Sequence, residues 1–275
     1  METTVADLIA ALDEIAPFGL AESWDNVGLI VGDRDRRVSS VLVGLDPTNR
    51  LLEEALDCQA DTVITHHPAI FRPIPAIDTG ESSGRFLEQA LTNRLTIIAC
   101  HTNFDAVCKG VNDVLADLLG LHDVSPLVPA NETFPDDTGL GRIGCYSQPK
   151  KRGEFVAMLL EVLDLDTVQV AGELPETISV VALCGGSGSE FAETAKRSGA
   201  DLYISAEIKH NVGRWAEEND FCIIDGTHYA TEKPAVRLLA EQLRSYGRER
   251  NWNLQIRETE TENHPFSAVD KNSYR

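Results

Sequence analysis

Lysine is scarce in this chain, and basic residues do not cluster. Of its 275 residues 44 are acidic and 24 basic, only 7 of the basic residues are lysine, and the formal net charge is −20. The largest basic cluster is Lys150-Lys151-Arg152, which is too short to neutralise a row of phosphates. This composition argues against non-specific binding to nucleic acid, and an anionic small substrate would need help from a metal ion.

An acidic chain with little lysine is typical of proteins that work in concentrated salt. Salt screens charge repulsion within a few ångströms, so a surface crowded with carboxylates stays hydrated and folded there. A mildly acidic enzyme from an ordinary habitat is the alternative interpretation. We expect the chain to come from a halophilic archaeon.

Long hydrophobic runs and paired cysteines are also missing. No apolar run approaches the roughly 18 residues that a membrane helix needs, and the six cysteines include no Cys-x-x-Cys pair, so we expect reduced thiols. The first apolar residues fall at helical spacing with acidic residues between them, unlike the core of a signal peptide. These absences predict a soluble, cytoplasmic protein that does not bind membranes.

Strand and helix patterns alternate along the chain. The first half indicates a helix over 4–15 and a loop over 22–33, and then strands and helices in turn up to a helix over 111–119. Such alternation predicts an α/β fold with buried, largely parallel strands. Prolines and glycines concentrate in 125–144, which predicts a linker. We therefore expect two α/β domains with mixed sheets, residues 1–125 and 126–275.

The two halves resemble each other. Residues 41–65 align with 181–205 without a gap, and in both a strand, a turn and a helix precede Ala-Asp and a second strand. The segments 95–106 and 221–232 also match, each with an apolar strand followed by a histidine and, four residues later, a carboxylate. Chance similarity of two βαβ segments is the alternative. We expect one duplicated βαβ-type unit.

Histidines stand where strands of the predicted sheets end. The pair in His66-His67-Pro68 ends one strand before a proline that turns the chain, so both side chains can converge on one place. The motifs His101-x3-Asp105 and His228-x3-Glu232 follow two other strands. If each carboxylate lies on the first turn of a helix, it shares a face with its histidine. Strand ends are also where α/β sheets place their sites.

Imidazole and carboxylate ligands without cysteine suit a divalent metal such as Zn, Fe, Mn, Co or Ni. The ligands are too many for one open catalytic site and fit two ions that one carboxylate bridges. Each histidine alone would be better explained as a hydrogen-bonded, partly buried residue. Taken together, the set predicts two metal ions per chain.

Two glycine-rich segments are weaker signals. Gly139-x-Gly141-x-x-Gly144 matches a dinucleotide-binding pattern, but it precedes an apparent strand rather than a helix, so we interpret it as a turn. The segment 184–188 lies between a strand and a helix, where the backbone N–H groups around Gly186 and Ser187 could hold an anion. A tight turn with Ser187 as the helix cap is equally compatible.

Six motifs together resemble the Nif-three-like dinuclear metal proteins, whose members are often labelled GTP cyclohydrolase type-two homologues. The motifs occur in the family's order and span nearly the whole chain. They are Ser23-Trp24-Asp25-Asn26-Val27-Gly28-Leu29, Thr65-His66-His67-Pro68, His101-Thr102-Asn103-Phe104-Asp105, Gly139-Leu140-Gly141-Arg142-Ile143-Gly144, Cys184-Gly185-Gly186-Ser187-Gly188 and Asp225-Gly226-Thr227-His228-Tyr229-Ala230-Thr231-Glu232.

The resemblance implies a duplicated Nif-three-like α/β fold, assembled as a toroidal homohexamer that is a trimer of dimers. It also implies a ligand set in which Glu232 bridges the ions and His101 is an additional ligand or lies next to them. That set is His66, His67, Asp105, His228 and Glu232. The sequence departs from the family pattern at Ala206-Glu207 and His210-Asn211, where the family has Gly-Glu and a histidine pair.

The reaction that the resemblance implies is hydrolytic opening of the purine ring of GTP by a metal-bound hydroxide. The residues alone support only metal-assisted hydrolysis in general. A non-catalytic metal carrier or cofactor-assembly protein, which needs no substrate pocket, is the alternative. Cations near the site would favour a nucleotide substrate, and Arg72, Arg142 and Lys209 are the candidates. Their absence from the cavity would favour the carrier.

Overall fold

The computed structural model describes residues 2–267 and 269. Its strands are Thr3–Thr4 (β1), Gly28–Val31 (β2), Arg37–Val38 (β3), Ser40–Gly44 (β4), Thr62–Thr65 (β5), Thr96–Ala99 (β6), His122–Pro129 (β7), Gly139–Lys151 (β8), Gln169–Ala171 (β9), Thr177–Ser187 (β10), Leu202–Ala206 (β11), Cys222–Asp225 (β12) and Gln255–Glu258 (β13). Its α-helices are Val5–Ile15 (α1), Asn49–Asp57 (α2), Ser82–Thr92 (α3), Thr102–Ala106 (α4), Val111–Leu118 (α5), Arg152–Leu163 (α6), Ala192–Arg197 (α7), His210–Glu218 (α8) and His228–Glu249 (α9). Short 3₁₀ turns cover Phe18–Leu20 and Ser189–Phe191.

A five-stranded sheet has the order β13-β4-β5-β6-β2. The strands β13, β4, β5 and β6 run parallel, and only β2 is antiparallel. The central strands are short apolar runs buried on both faces, as expected for parallel strands covered by helices. The expected α/β fold with mostly parallel central strands is therefore confirmed.

A six-stranded sheet has the order β7-β8-β10-β11-β12-β9. Here β10, β11 and β12 run parallel, β8 and β9 flank them antiparallel, and β7 pairs antiparallel with β8. Each sheet therefore contains a parallel core of three consecutive strands, β4-β5-β6 in one and β10-β11-β12 in the other. Both sheets are mixed, as the sequence predicts.

The duplication extends to the strand register. Val41 pairs with Thr62 in the first sheet, and their aligned counterparts Val181 and Leu202 pair in the second. A carboxylate just before the second strand of each pair accepts hydrogen bonds from two consecutive N–H groups in the first strand or at its start. These carboxylates belong to the aligned residues Asp61 and Asp201. Such identical local bonding supports a repeated unit over a chance match.

Three sequence expectations are wrong. The predicted linker over 125–144 is mostly strand, because β7 and the start of β8 pair antiparallel there. β7 is an edge strand, and an edge tolerates prolines that a central strand would reject. The glycines of the segment 139–144 lie within β8 rather than in a turn. The predicted loop over 22–33 likewise contains β2.

The longest helix, α9, connects the two sheets. It contacts α1 and β4 on one side and α5 and β10 on the other, and its buried apolar side chains belong to the core beneath the first sheet. The chain then returns through β13 to the edge of that sheet. Among residues 2–267 and 269, no helix has both the length and the apolar character to cross a membrane. The domain boundary at residue 125 stays a prediction.

Candidate metal centre

Six side chains from both halves meet between the carboxyl ends of the parallel strands. The histidine pair directly follows β5, and the strand ends of β6 and β12 lead into the N-terminal ends of α4 and α9, which carry the rest. Four imidazoles and two carboxylates thereby approach one another. They are His66, His67, His101, Asp105, His228 and Glu232.

His66 is buried with one ring nitrogen bonded and the other unpaired. Its Nδ1 lies 2.8 Å from the carbonyl oxygen of Cys100, and since a carbonyl only accepts, Nδ1 must be the donor. Its buried Nε2 has no hydrogen-bond partner and lies 3.6 Å from Asp105 Oδ1 and 3.7 Å from Glu232 Oε1. In the neutral ring that Nε2 carries a lone pair, which faces two carboxylates.

His67 and His228 share the second oxygen of Glu232. Their Nε2 atoms lie 3.1 and 3.0 Å from Glu232 Oε2 and 3.2 Å from each other. Nδ1 of His67 bonds to Asp46 at 2.8 Å, and Nδ1 of His228 bonds to Glu207 at 3.0 Å. Glu232 therefore lies between two groups of histidine nitrogens, with one oxygen toward each.

His101 approaches from the side of Asp25. Its Nδ1 lies 2.8 Å from Asp25 Oδ1, while the other oxygen of that carboxylate accepts from the backbone N–H and the hydroxyl of Thr102. Burial opposes ionisation of Asp25, but these hydrogen bonds lower its pKa to about 2. An ionised Asp25 therefore fixes the ring whose Nε2 is turned toward the histidine pair.

All four histidines bond through Nδ1 and direct Nε2 into the cluster. A protein ligand of a metal usually has this second partner, which fixes the ring and makes the free nitrogen more basic. The partners are one backbone carbonyl and the carboxylates of Asp25, Asp46 and Glu207. Sequence reasoning assigned no role to these carboxylates, although Asp46 and Glu207 follow strand ends as the histidines do.

The carboxylates of the cluster have strongly shifted pKa values. Burial opposes ionisation of Glu232, yet the surrounding imidazoles of His228, His66 and His67 hold its pKa well below the usual range. Burial raises the pKa of Asp105. Burial also opposes charge on His67, but hydrogen bonds to Asp46 and Glu232 raise its pKa to about 10. An ionised carboxylate buried among imidazoles attracts positive charge, either protons or a metal ion.

Glu207 accounts for a difference between the two repeats. By the repeat, Ala206-Glu207 occupies the place of His66-His67, and Glu207 orients His228 instead of joining the cluster. The aligned helices begin at equivalent positions, because His101 and Thr227 are the N-cap residues of α4 and α9, but His228 comes one residue after that position. The histidine and carboxylate of the second copy therefore lie one residue further along their helix. The equivalent strand ends of the two repeats therefore supply different numbers of ligands to the one cluster.

Three overlapping triads of the cluster could each hold an ion. Within each triad the ligand atoms lie within 4.8 Å of one another. Glu232 and the two adjacent histidines each belong to two triads. The triads are His66-His67-His101, His67-His228-Glu232 and His66-Asp105-Glu232.

A cavity of about 320 Å³ opens onto the cluster. Its other walls are largely apolar and aromatic, formed by Trp24, Phe71, Leu140 and Phe191. The exposed carboxylates of Glu22 and Glu190 also line it. Among the residues that the structure describes, no lysine or arginine lines this cavity.

Arg142 is not an anion contact. Its guanidinium is 1% exposed and binds both carboxylate oxygens of Asp113, at 2.9 and 2.6 Å. The remaining donors bond to the carbonyls of Gly139, Gly141 and Val107. All five N–H groups are thus used inside the fold, and none remains for a ligand.

The other predicted anion contacts divide into one that lines the cavity and three that do not. Arg72 and Lys209 are exposed and lie outside its lining. Gly186 donates its N–H to Thr231 Oγ1 and has a φ of +66°. A Cβ there would lie 2.0 Å from Glu232 Oε1, so the glycine makes room for that carboxylate. Ser187 does line the cavity.

A carboxylate from the end of the chain supports the loop that carries Asp46. Glu262 is nearly buried, its Oε2 pairs with Lys233 Nζ at 2.7 Å, and its Oε1 accepts from the N–H groups of Leu45 and Asp46 at 2.8 Å each. Lys233 directly follows Glu232 on α9. One ion pair therefore connects the helix that carries Glu232 to the residue that orients His67.

Comparison with known proteins agrees with this architecture. A family model described as Duf34/NIF3 (NGG1p interacting factor 3) matches residues 3–265. A Streptomyces coelicolor protein named "GTP cyclohydrolase 1 type 2 homolog" is 33% identical over 267 residues, which cover 96% of this chain and 94% of that protein.

Solved structures show the same fold. The crystal structure of Staphylococcus aureus protein SA1388 has a TM-score of 0.90 at 27% identity, over 97% of this chain and 99% of that one. A Bacillus cereus protein related to NIF3 has a TM-score of 0.91 at 24% identity, over 98% and 100%. The expected Nif-three-like α/β fold is therefore confirmed, and the chain belongs to the Duf34/NIF3 family.

Proposed function

We propose that the cluster binds two divalent metal ions. The observation that carries this proposal is the environment of His66, whose Nδ1 must donate to a carbonyl and whose unpaired Nε2 faces two buried carboxylates. A lone pair 3.6 to 3.7 Å from carboxylate oxygens is repelled unless a proton on Nε2 or a metal ion between them supplies positive charge, and a metal ion can bind all three ligands at once. Nitrogen and oxygen donors without a thiolate fit Zn, Fe, Mn, Co or Ni.

The triads support one division of the ligands between the two ions. His66 and Asp105 would hold one ion and His67 and His228 the other, with Glu232 between them. His101 forms a triad with His66 and His67 and would be an additional ligand of either ion. This division uses every free Nε2 of the cluster and gives each ion at least one carboxylate oxygen.

We further propose a metal-dependent hydrolase of the GTP cyclohydrolase type. A pair of divalent ions supplies Lewis acidity and lowers the pKa of water when it is bound. The cavity next to the cluster favours this activity over a metal carrier, which needs no substrate pocket. The described lining of the cavity has no lysine or arginine to bind the phosphates of a nucleotide, which counts against a nucleotide hydrolase. The metal carrier therefore stays the second candidate.

Protein purified without chelator is expected to hold about two transition-metal ions per chain, because two of the triads provide sets of donors that share only Glu232. Elemental analysis against the protein concentration measures this content. No more than trace metal in such a sample would overturn the dinuclear centre.

Hydrolase and carrier differ in what happens to the ions. Metal-loaded protein should open the purine ring of GTP or of guanosine, seen as a change in ultraviolet absorbance, while it keeps its metal. If it leaves both compounds intact and passes its ions to a metal-free acceptor protein, the carrier is correct.

Glu262→Ala is expected to weaken one of the two metal-binding steps by about 10- to 100-fold, the usual cost of losing an outer partner. Without Glu262 the loop of Asp46 loses two backbone hydrogen bonds, so His67 is less well oriented. Glu262→Gln keeps an accepting oxygen and should retain most of the affinity. Competition with a chelator measures both steps, and equal weakening of both would contradict this role.

Assembly and origin stay predictions. The toroidal homohexamer rests on the resemblance, the cytoplasmic location on the cysteine and N-terminal patterns, and the adaptation to high salt on the charge of −20. An oligomer of such chains would need salt to screen its charge.

A further inference from the structure

An aromatic platform lies beside the cluster, at the wall of the cavity. Trp24 and Phe71 have ring centroids 5.5 Å apart, and both lie about 6 Å from the ring of His101. Trp24 is 55% exposed and Phe71 43% exposed. Large aromatic faces left open next to polar donors are typical of sites that stack a flat ligand.

The platform is held in place before any ligand arrives. The side-chain amide of Asn26 donates to the carbonyl of Ile70 at 2.5 Å, which ties the loop of Trp24 to the loop of Phe71. The N–H of Glu22 donates to the hydroxyl of Thr102 at 2.9 Å, which ties the first loop to α4. A ligand would therefore lose little free energy to ordering these loops.

The charges around the platform restrict the ligand. Both charged residues at the rim of the cavity are carboxylates, Glu22 and Glu190, and within 2–267 and 269 no cation lines the cavity to offset them. A triphosphate would have to pass these carboxylates with no lysine or arginine of the described lining to offset the repulsion, whereas an uncharged ring would not be repelled. The volume of about 320 Å³ suits a ring system with a small substituent.

Resting on the proposed dinuclear centre, we propose that the cavity binds an uncharged nitrogen heteroaromatic ring, a nucleobase or nucleoside without phosphate. The ring stacks on Trp24 beside His101, with its polar edge toward the cluster. A ligand without phosphate explains why a substrate pocket next to the metal ions needs no lysine or arginine in its described lining. It also makes the triphosphate of GTP unnecessary for recognition in this cavity.

Fluorescence of Trp24 tests the proposal in metal-loaded protein. The chain has three tryptophans, so Trp215→Phe and Trp252→Phe together leave Trp24 as the only reporter. Guanosine should quench its emission at lower concentration than GTP. GTP binding as tightly as guanosine, or no quenching by guanosine, would overturn the proposal.

Variants of the platform use calorimetric titration of metal-loaded protein with guanosine. Trp24→Leu should weaken binding by about 5- to 150-fold, the effect of losing one base-stacking aromatic ring. Trp24→Phe keeps a stacking face and should retain most of the affinity, and unchanged binding by Trp24→Leu would overturn the stacked geometry. Metal content is measured on the same samples. Two ions without guanosine binding would refute only this inference, whereas a metal-free protein would refute the proposed function and this inference with it.

Discussion

Glu232→Gln is expected to bring metal content well below one ion per chain, whereas His67→Ala should leave about one. Glu232 is 3% exposed and directs one oxygen toward His66 and the other toward His67 and His228. A bridging carboxylate cancels charge between two cations and binds both, so its neutral amide should weaken both sites. A histidine that serves one ion should affect mainly that ion.

The comparison needs a control that changes charge at the cavity but not in the cluster. Glu190→Gln removes an exposed carboxylate from the same cavity lining and should retain both ions. Metal content is measured by elemental analysis after dialysis, with circular dichroism to confirm that each variant folds. Two ions bound to Glu232→Gln with unchanged affinity would show that Glu232 is not the bridge.

The clustered histidines and carboxylates could be predicted because each follows an apolar strand of a βαβ unit. In parallel sheets such positions lie at one edge, so His66, His101 and His228 had to approach a shared region if the two halves faced each other. The strand register also fits the repeat, with Val41 and Val181 in equivalent pairs.

The orienting carboxylates were harder to predict because their partners are distant in sequence. Asp25 and His101 are 76 residues apart, and Asp25 lies in a loop with no strand pattern of its own. Asp46 and Glu207 do follow strand ends, so the rule that identified the histidines could have included them. Their role, however, depends on which ring nitrogen faces them, and only the folded arrangement determines that.

The segment 125–144 shows how composition can mislead. Its prolines and glycines argued for a linker, but an edge strand accepts Pro126 and Pro129 where its N–H groups are not needed. Gly141 has a φ of +62° within β8, a conformation that favours glycine. The composition of this segment therefore predicted turns at residues that pair in the second sheet.

Arg142→Leu is expected to lower the free energy of unfolding by about 3 to 5 kcal/mol, as when one partner of a buried ion pair is removed. The substitution leaves Asp113, whose side chain is 20% exposed, without its bidentate partner. It also leaves three carbonyls of the β8 region and the α4–α5 loop without their donors. Chemical denaturation of the metal-free protein measures the change directly.

The matched control is Arg237→Leu, which removes an exposed ion pair with Glu241 on α9 and should leave the unfolding free energy nearly unchanged. The two variants also separate the structural role of Arg142 from the anion contact that its sequence position suggested. A guanidinium reserved for a ligand would contribute little to the stability of the free protein. If Arg142→Leu has the unfolding free energy of the unmodified protein but loses ligand binding, Arg142 is a ligand contact and does not stabilise the fold through Asp113.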